Sequence, residues 1–189
     1  MENALIVSDA EKSAVFFTEI LKAASCENIS VLHSAEKARR LIMERDFDLA
    51  IINVPLIDES GENLARHIAS KNIAQVILVV QSEFFDEVSA ITENDGILVV
   101  AKPVDKTIFW SVLKLAQSAQ SRLKKMQIEN GKLRQKIEDM RVIDRAKLIL
   151  VSNLKMSEIE AHRFIGKQAM DVRSTRIEIA KGILKTYDG

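Results

Sequence analysis

Four short apolar runs constrain the fold of the first half of this chain: residues 3–7 (NALIV), 49–52 (LAII), 76–80 (VILVV) and 97–101 (ILVVA). A weaker run, Ile29 to Leu32, makes a fifth. Each is four or five residues long and rich in β-branched side chains. Runs this short and this continuous read as strands buried on both faces of a parallel sheet, where helices leave no solvated side. Helical patterns separate them, at Ala14 to Leu21, Ala35 to Met43, Leu64 to Ile68 and Phe84 to Ile91, and Gly61 and Gly96 punctuate loops. Five strands alternating with helices predict an α/β fold with a five-stranded, doubly wound parallel sheet.

From Val104 onward the strand signal stops and proline is absent. One helical pattern runs from about Lys106 to Leu150. Within it Leu123, Asn130 and Ile137 recur every seven residues, as do Ala119, Met126, Leu133 and Met140. These are the a and d positions of a heptad seam. An Asn at an a position can bond its counterpart in a parallel dimer and so fix register. Gly131 weakens the helix by about 1 kcal/mol relative to Ala. The seam predicts a parallel homodimer through a coiled coil; the competing reading is a lone amphipathic helix packed on its own domain. Beyond it, Ser157 and Glu160 form a capping box that starts a helix at Glu158. Arg173-Ser174-Thr175 ends that helix and offers Ser174 or Thr175 as the next N-cap. A last helix runs to about Lys185. The organisation expected is a domain over 1–118, a coiled-coil helix over 119–143 and a small three-helix module over 144–189. The module's core is expected from Ile159, Phe164, Ile177, Ile183 and Leu184.

Charge separates the same parts. Residues 1–118 carry 11 Lys and Arg against 18 Asp and Glu, a net −7; the remaining 71 residues carry 16 against 9, a net +7. A basic part attracts a polyanion, although basic helices are also often merely solvated. Cys26 is the lone cysteine, which suits a reducing, cytoplasmic setting. His33, His67 and His162 are scattered and no CxxC occurs, so no metal site or cofactor is expected. No apolar run approaches the ~18 residues of a membrane span, and the first residues lack the features of a signal peptide.

The segments LIVSDAEK, DLAIINVPLIDESG, VILVVQSEF and VVAKPV together resemble a response-regulator receiver domain, a flavodoxin-like fold. The resemblance places a degenerate pocket at Asp9, Asn53, Val80 and Lys102. Asn53 stands where the family has its phosphoryl-accepting aspartate, Ser8 where a second acid is common, and Val80-Gln81 where Ser or Thr precedes Ala. Val99 takes the place of the aromatic switch residue. A carboxamide is a poor nucleophile and brings no charge for Mg²⁺, a hard cation that prefers anionic oxygen. Phosphorylation is therefore not expected to switch this domain. A register slip would bring Asp58 forward instead; it is expected in a loop.

The tail resembles the ANTAR module of transcription antiterminators through Ala146-Lys147, Leu150, Ser157, Ala161, Ala169-Met170 and Ile179-Ala180. His162 replaces the usual Tyr, Ile165 the Leu and Gly166 the usual Arg. The resemblance implies RNA as partner, in the form of stem-loops in nascent transcripts captured by a dimer, and no enzymatic activity. Arg163, Lys167, Arg173, Arg176, Lys181 and Lys185 are the candidate RNA contacts, and Leu123, Met126, Asn130, Leu133, Ile137 and Met140 the dimer seam. A sensor or inhibitor protein would be a further partner. The rival reading is a signalling adaptor whose receiver-like domain docks a sensor while the tail only dimerises.

Overall fold

The computed structural model describes residues 1–71 and 74–187. It divides into two compact units, Met1–Lys124 and Lys125–Gly189. The last two residues of the expected 144–189 module lie outside the described residues.

The first unit alternates strands and helices in the order β1 (Asn3–Ser8), α1 (Glu11–Ala23), β2 (Asn28–Leu32), α2 (Ala35–Glu44), β3 (Leu49–Asn53), α3 (Glu62–Ser70), β4 (Gln75–Gln81), α4 (Phe85–Thr92) and β5 (Leu98–Lys102). A long helix, α5 (Lys106–Leu154, 49 residues), follows and gives its first part to this unit. The strands form one parallel sheet in the order β2-β1-β3-β4-β5, so the chain reverses direction across the sheet between β1 and β3.

Successive residues of each inner strand point to opposite faces, and both faces are dry. Leu5, Val7, Ile52, Leu78 and Val80 face a cluster with Ala38 and Ile42 of α2, Leu64 and Ile68 of α3 and Val88 of α4. Ile6, Leu49, Ile51, Ile77 and Val79 face Phe17 and Leu21 of α1 and Phe109 and Leu113 of α5. This two-sided burial is why these strands are continuously apolar. β2, at the edge, is only half-buried, which accounts for its weaker signal.

Two side chains fix the ends of this unit. Asp58, in the loop after β3, accepts from the backbone N–H groups of Ala35 (2.9 Å) and Glu36 (3.0 Å) and so caps α2. Those amides hold its carboxyl below the usual carboxylate range. Asp48, buried at the opposite end of the sheet, accepts from the N–H of Glu2 (2.6 Å) and pairs with Lys124 of α5 (2.6 Å). Burial alone would raise its pKa, but Lys124 and the amides of Glu2 and Asn3 outweigh it and leave the carboxyl below its ordinary value.

The second unit contains the rest of α5, then α6 (Glu158–Asp171) and α7 (Arg176–Tyr187). Its core is small: Ala146, Leu150, Ala161, Ile165 and Ala180 are fully buried, with Phe164, Ile179, Ile183 and Leu184 half-buried around them. Two of the expected core residues lie elsewhere. Ile159 is 66% exposed, and Ile177 is outside the cluster. The inward stripe of α6 runs through Ala161, Ile165 and Ala169, one helical turn apart, so Ile159 sits on the far side. In α7 the cluster takes Ile179, Ala180, Ile183 and Leu184, while Ile177, in the first turn of the helix, is half-buried outside it.

Candidate functional site

The receiver-like residues converge at the ends of β1, β3 and β5. Ser8 pairs with Asn53 across the β1–β3 ladder, which puts both side chains on the face covered by α1 and α5. Asn53 is 4% exposed and Ser8 fully buried. The Asn53 Nδ2 donates to Ser8 Oγ at 2.9 Å, and that hydroxyl donates onward to the carbonyl of Ala10 at 3.1 Å. The Asn53 Oδ1 is buried without a hydrogen-bond partner among the described residues. Lys102 donates to the carbonyl of Val54, and burial pushes its ammonium below the usual lysine range. A cavity of about 310 Å³ opens here, bordered by Asn53, Lys102, Lys12, Phe16, Phe17 and Val104.

Val80 is not part of this cavity. It lies one position past Val79, the register partner of Asn53, so its side chain enters the core on the opposite face of the sheet. There it borders a separate cavity of about 350 Å³ with Val54, Pro55, Phe84 and Val88. Gln81, paired with Lys102 and exposed, is the β4 residue on the face of Asn53. Val99 packs half-buried against the same cluster as Val80. Asp9 is exposed at the end of β1. Asp58, engaged with α2, is committed to capping.

The donor set Ser8, Asp9 and Asn53 holds one carboxylate. Mg²⁺ is usually held through one or two carboxylates and its own waters; here Asp9 alone could serve, and the neutral Asn53, engaged with Ser8, adds no charge. Among the described residues no group of three or more His, Cys, Asp or Glu is placed to hold a metal.

Gly61 closes the loop after β3 and shows how tightly that loop is built. Its φ is +94°, a left-handed conformation, and a Cβ there would lie 2.3 Å from Val54 Cγ1. Any other residue would be strained and would clash.

In the second unit, α6 begins at a capping box. The Glu160 N–H donates to Ser157 Oγ (3.3 Å), and Ser157 N–H to Glu160 Oε2 (2.8 Å). A second box, less evident in the sequence, starts α7. The Glu178 N–H donates to Thr175 Oγ1 (3.3 Å) and Thr175 N–H to Glu178 Oε2 (2.9 Å). The signal was present as T-x-x-E. The hydroxyl of Ser174 adds a further bond to Glu178, and these donors hold its carboxyl down at about 2. Between the helices Arg173 has φ +51°, a left-handed position usually filled by Gly, while Ser174 N–H closes back on Ala169 O at 2.9 Å. A non-glycine residue held there is uncommon and marks a segment worth testing for function.

Arg163, Lys167, Arg173, Arg176, Lys181 and Lys185 are all exposed, and none makes an ion pair among the described residues. Arg163 and Lys167 are one turn apart on α6. Arg176 reaches across from α7 and rests over Gly166: a Cβ at Gly166 would meet its Nη2, Nε and Cζ at 3.6, 3.7 and 3.9 Å. Linear spacing carried no signal for this contact, which depends on the turn between α6 and α7. Leu123, Met126, Asn130, Leu133, Ile137 and Met140 are exposed along α5, four of the apolar ones more than half exposed.

An ANTAR domain model matches residues 131–184. Over 182 residues the chain is 25% identical to a transcriptional regulatory protein of Mycobacterium tuberculosis, PdtaR, covering 96% of this chain and 89% of that one. The first unit has the fold of receiver domains of known structure. One is the signal receiver domain of an HD domain-containing protein from Pseudomonas fluorescens, with a TM-score of 0.58, 21% identity and coverage of 66% of this chain and 92% of that one. Another is a CheY-like receiver domain from Methanospirillum hungatei, with a TM-score of 0.56, 20% identity and coverage of 67% and 98%. No helix among the described residues is long and apolar enough to cross a membrane. An ANTAR-domain match thus lies behind a unit with the receiver fold, so the chain resembles ANTAR-domain response regulators, and the relative it matches along nearly its whole length is a transcriptional regulatory protein.

Proposed function

We propose that this regulator binds RNA and acts by antitermination, and that its receiver-fold unit is not switched by phosphorylation. The observation that carries the RNA reading is the set of six exposed, ion-unpaired cations around α6 and α7 in a module with a five-residue buried core. Such cations are free to neutralise phosphates. The module has few rings to offer bases. His162 and Tyr187 are exposed and Phe164 is half-buried in the core, so recognition rests on cations rather than an aromatic sheet.

The second half of the proposal rests on Asn53. Its amide is bound to Ser8 and cannot serve as the anionic nucleophile that phosphoryl transfer needs. Control then passes to a partner protein, a ligand or the amount of regulator. The exposed a and d residues of α5 support a parallel dimer, which would present two modules to paired stem-loops.

The test is terminator read-through in a purified transcription reaction on a template with two stem-loops ahead of a terminator. Full-length protein should raise read-through, and acetyl phosphate with Mg²⁺ should leave that effect unchanged. Unaltered termination at saturating protein would support the adaptor reading instead.

A further inference from the structure

The Arg176 guanidinium occupies the space that a side chain at position 166 would fill. Gly166 is buried in α6, and the nearest atoms a Cβ would meet there all belong to that guanidinium, at 3.6 to 3.9 Å. Arg176 is the first residue of α7, directly after the N-cap Thr175, so its backbone is fixed by the capping box. Its side chain is nonetheless exposed and makes no hydrogen bond among the described residues, which leaves its N–H donors and the rest of its plane open. The guanidinium is thus a planar, charged group fixed at its root and resting on bare helix backbone. His162, one turn before Gly166 on the same side of α6, adds an exposed ring.

Arg163 and Lys167 flank position 166 on α6 and already supply positive charge there. Among the exposed planar groups of the module, the Arg176 guanidinium is the one that lies over Gly166. Unpaired RNA bases are read by stacking on aromatic rings or on arginine guanidinium planes. We infer that Arg176, seated on Gly166, is a specificity residue that stacks an unpaired loop base of the RNA rather than a phosphate contact. This rests on the RNA-binding reading above. The absence of a side chain at position 166 is then part of the site: a long residue there would expel the plane, whereas Ala, whose Cβ would make only ordinary contacts, would leave it seated.

The test uses full-length protein and a two-hairpin RNA selected by that protein from a loop-randomised pool. Each loop nucleotide is replaced in turn by an abasic site, and affinity is measured over a range of salt. Base stacking contributes roughly five- to 150-fold in affinity per base. In the parent, one loop position should lose about tenfold or more when its base is removed. In Arg176→Lys, which keeps the charge and loses the plane, the same removal should cost less than about twofold, with the salt slope unchanged. Gly166→Leu should reproduce this loss with Arg176 intact, and Gly166→Ala should not. A near-parental melting curve and helix content show that each variant is folded.

Arg176→Lys keeping the parent's sensitivity at every loop position would overturn the inference. So would a parent with no abasic-sensitive position, or a salt slope that falls in Arg176→Lys. If the parent selects no RNA over duplex DNA of equal charge, the RNA reading itself fails and takes this inference with it, an outcome visible before any variant is made.

Discussion

Replacing Asn53 with Asp restores the residue type that receiver domains carry, yet in this chain it should destabilise the receiver-fold unit. The Asn53 side chain is 4% exposed and donates to Ser8 Oγ at 2.9 Å. A carboxylate cannot donate, so the Ser8 hydroxyl would have to turn from the Ala10 carbonyl, 3.1 Å away, to serve the new anion. One neutral hydrogen bond is lost and a charge is buried. Lys102, at the same cavity, offsets part of the burial. The net cost should be about 2 kcal/mol, at the level of a buried polar group left badly matched.

The pH dependence has a definite sign. Burial raises the pKa of the introduced carboxyl above the ordinary ~3.9 of an unfolded Asp. The protonated acid resembles the amide and can donate to Ser8. The variant should therefore match the parent most closely near the unfolded pKa and below, and fall behind as pH rises through the folded value, by at most about 1.4 kcal/mol per pH unit. Urea unfolding of Asn53→Asp and parent between pH 4 and 8, followed by the fluorescence of Trp110, measures this. Trp110 is the single tryptophan of the chain and packs against the core of the first unit. A variant as stable as the parent at pH 8, or a deficit independent of pH, would refute the reasoning.

In the second unit, Leu150→Ala should cost about 3 kcal/mol because Leu150 is 1% exposed in a core with few large side chains, whereas Leu148→Ala, at a 65% exposed position, should cost under about 0.5 kcal/mol; helix-detected urea unfolding of both variants checks the contrast. Charged replacement of Leu133 and Ile137 together should convert the expected dimer to monomer in sedimentation, and a parent that is already monomeric at tens of micromolar would remove the dimer from the account (a range typical of weak dimers). Glu178, held at about 2 against an ordinary 4.5, should support the start of α7 fully above 4.5 and lose that support as pH falls toward 2. Amide exchange at Thr175 and Glu178, followed by NMR across that window, reports the loss.

The inner strands were legible because burial on both faces leaves an uninterrupted apolar run; of the two edge strands, β5 keeps an apolar run while β2 was faint because Asn28 and Ser30 interrupt it and two of its residues are exposed. The same continuity hid which face each residue occupies. VILVV has no polar alternation to show that Val80 enters the core opposite Asn53, while Gln81 follows the strand phase of Asn53. The start of α6 was readable from Ser157 and Glu160, local partners three residues apart. Helix phase in the tail was less readable. Three of its five buried positions are alanines, which carry little hydrophobic signal, and this made Ile159 and Ile177 look like core. The seating of Arg176 on Gly166 is a contact between two helices through a turn held by Arg173 in a left-handed conformation. The polar break Arg173-Ser174-Thr175 marked the turn, but neither the left-handed Arg173 nor the contact of Arg176 with Gly166 has a signature in linear spacing.

The central claim is that the cationic face of α6 and α7 binds RNA. Its most direct test is titration of the full-length protein with a two-hairpin RNA and with duplex DNA of equal phosphate number, at salt from 50 to 200 mM (the range over which phosphate contacts show themselves). Preference for the RNA and a linear fall of log affinity with log salt are expected. That slope should shrink by roughly 0.7–0.9 for each of Arg163, Lys167 and Arg173 changed to Ala. Binding insensitive to salt, or equal affinity for the duplex DNA, would contradict it.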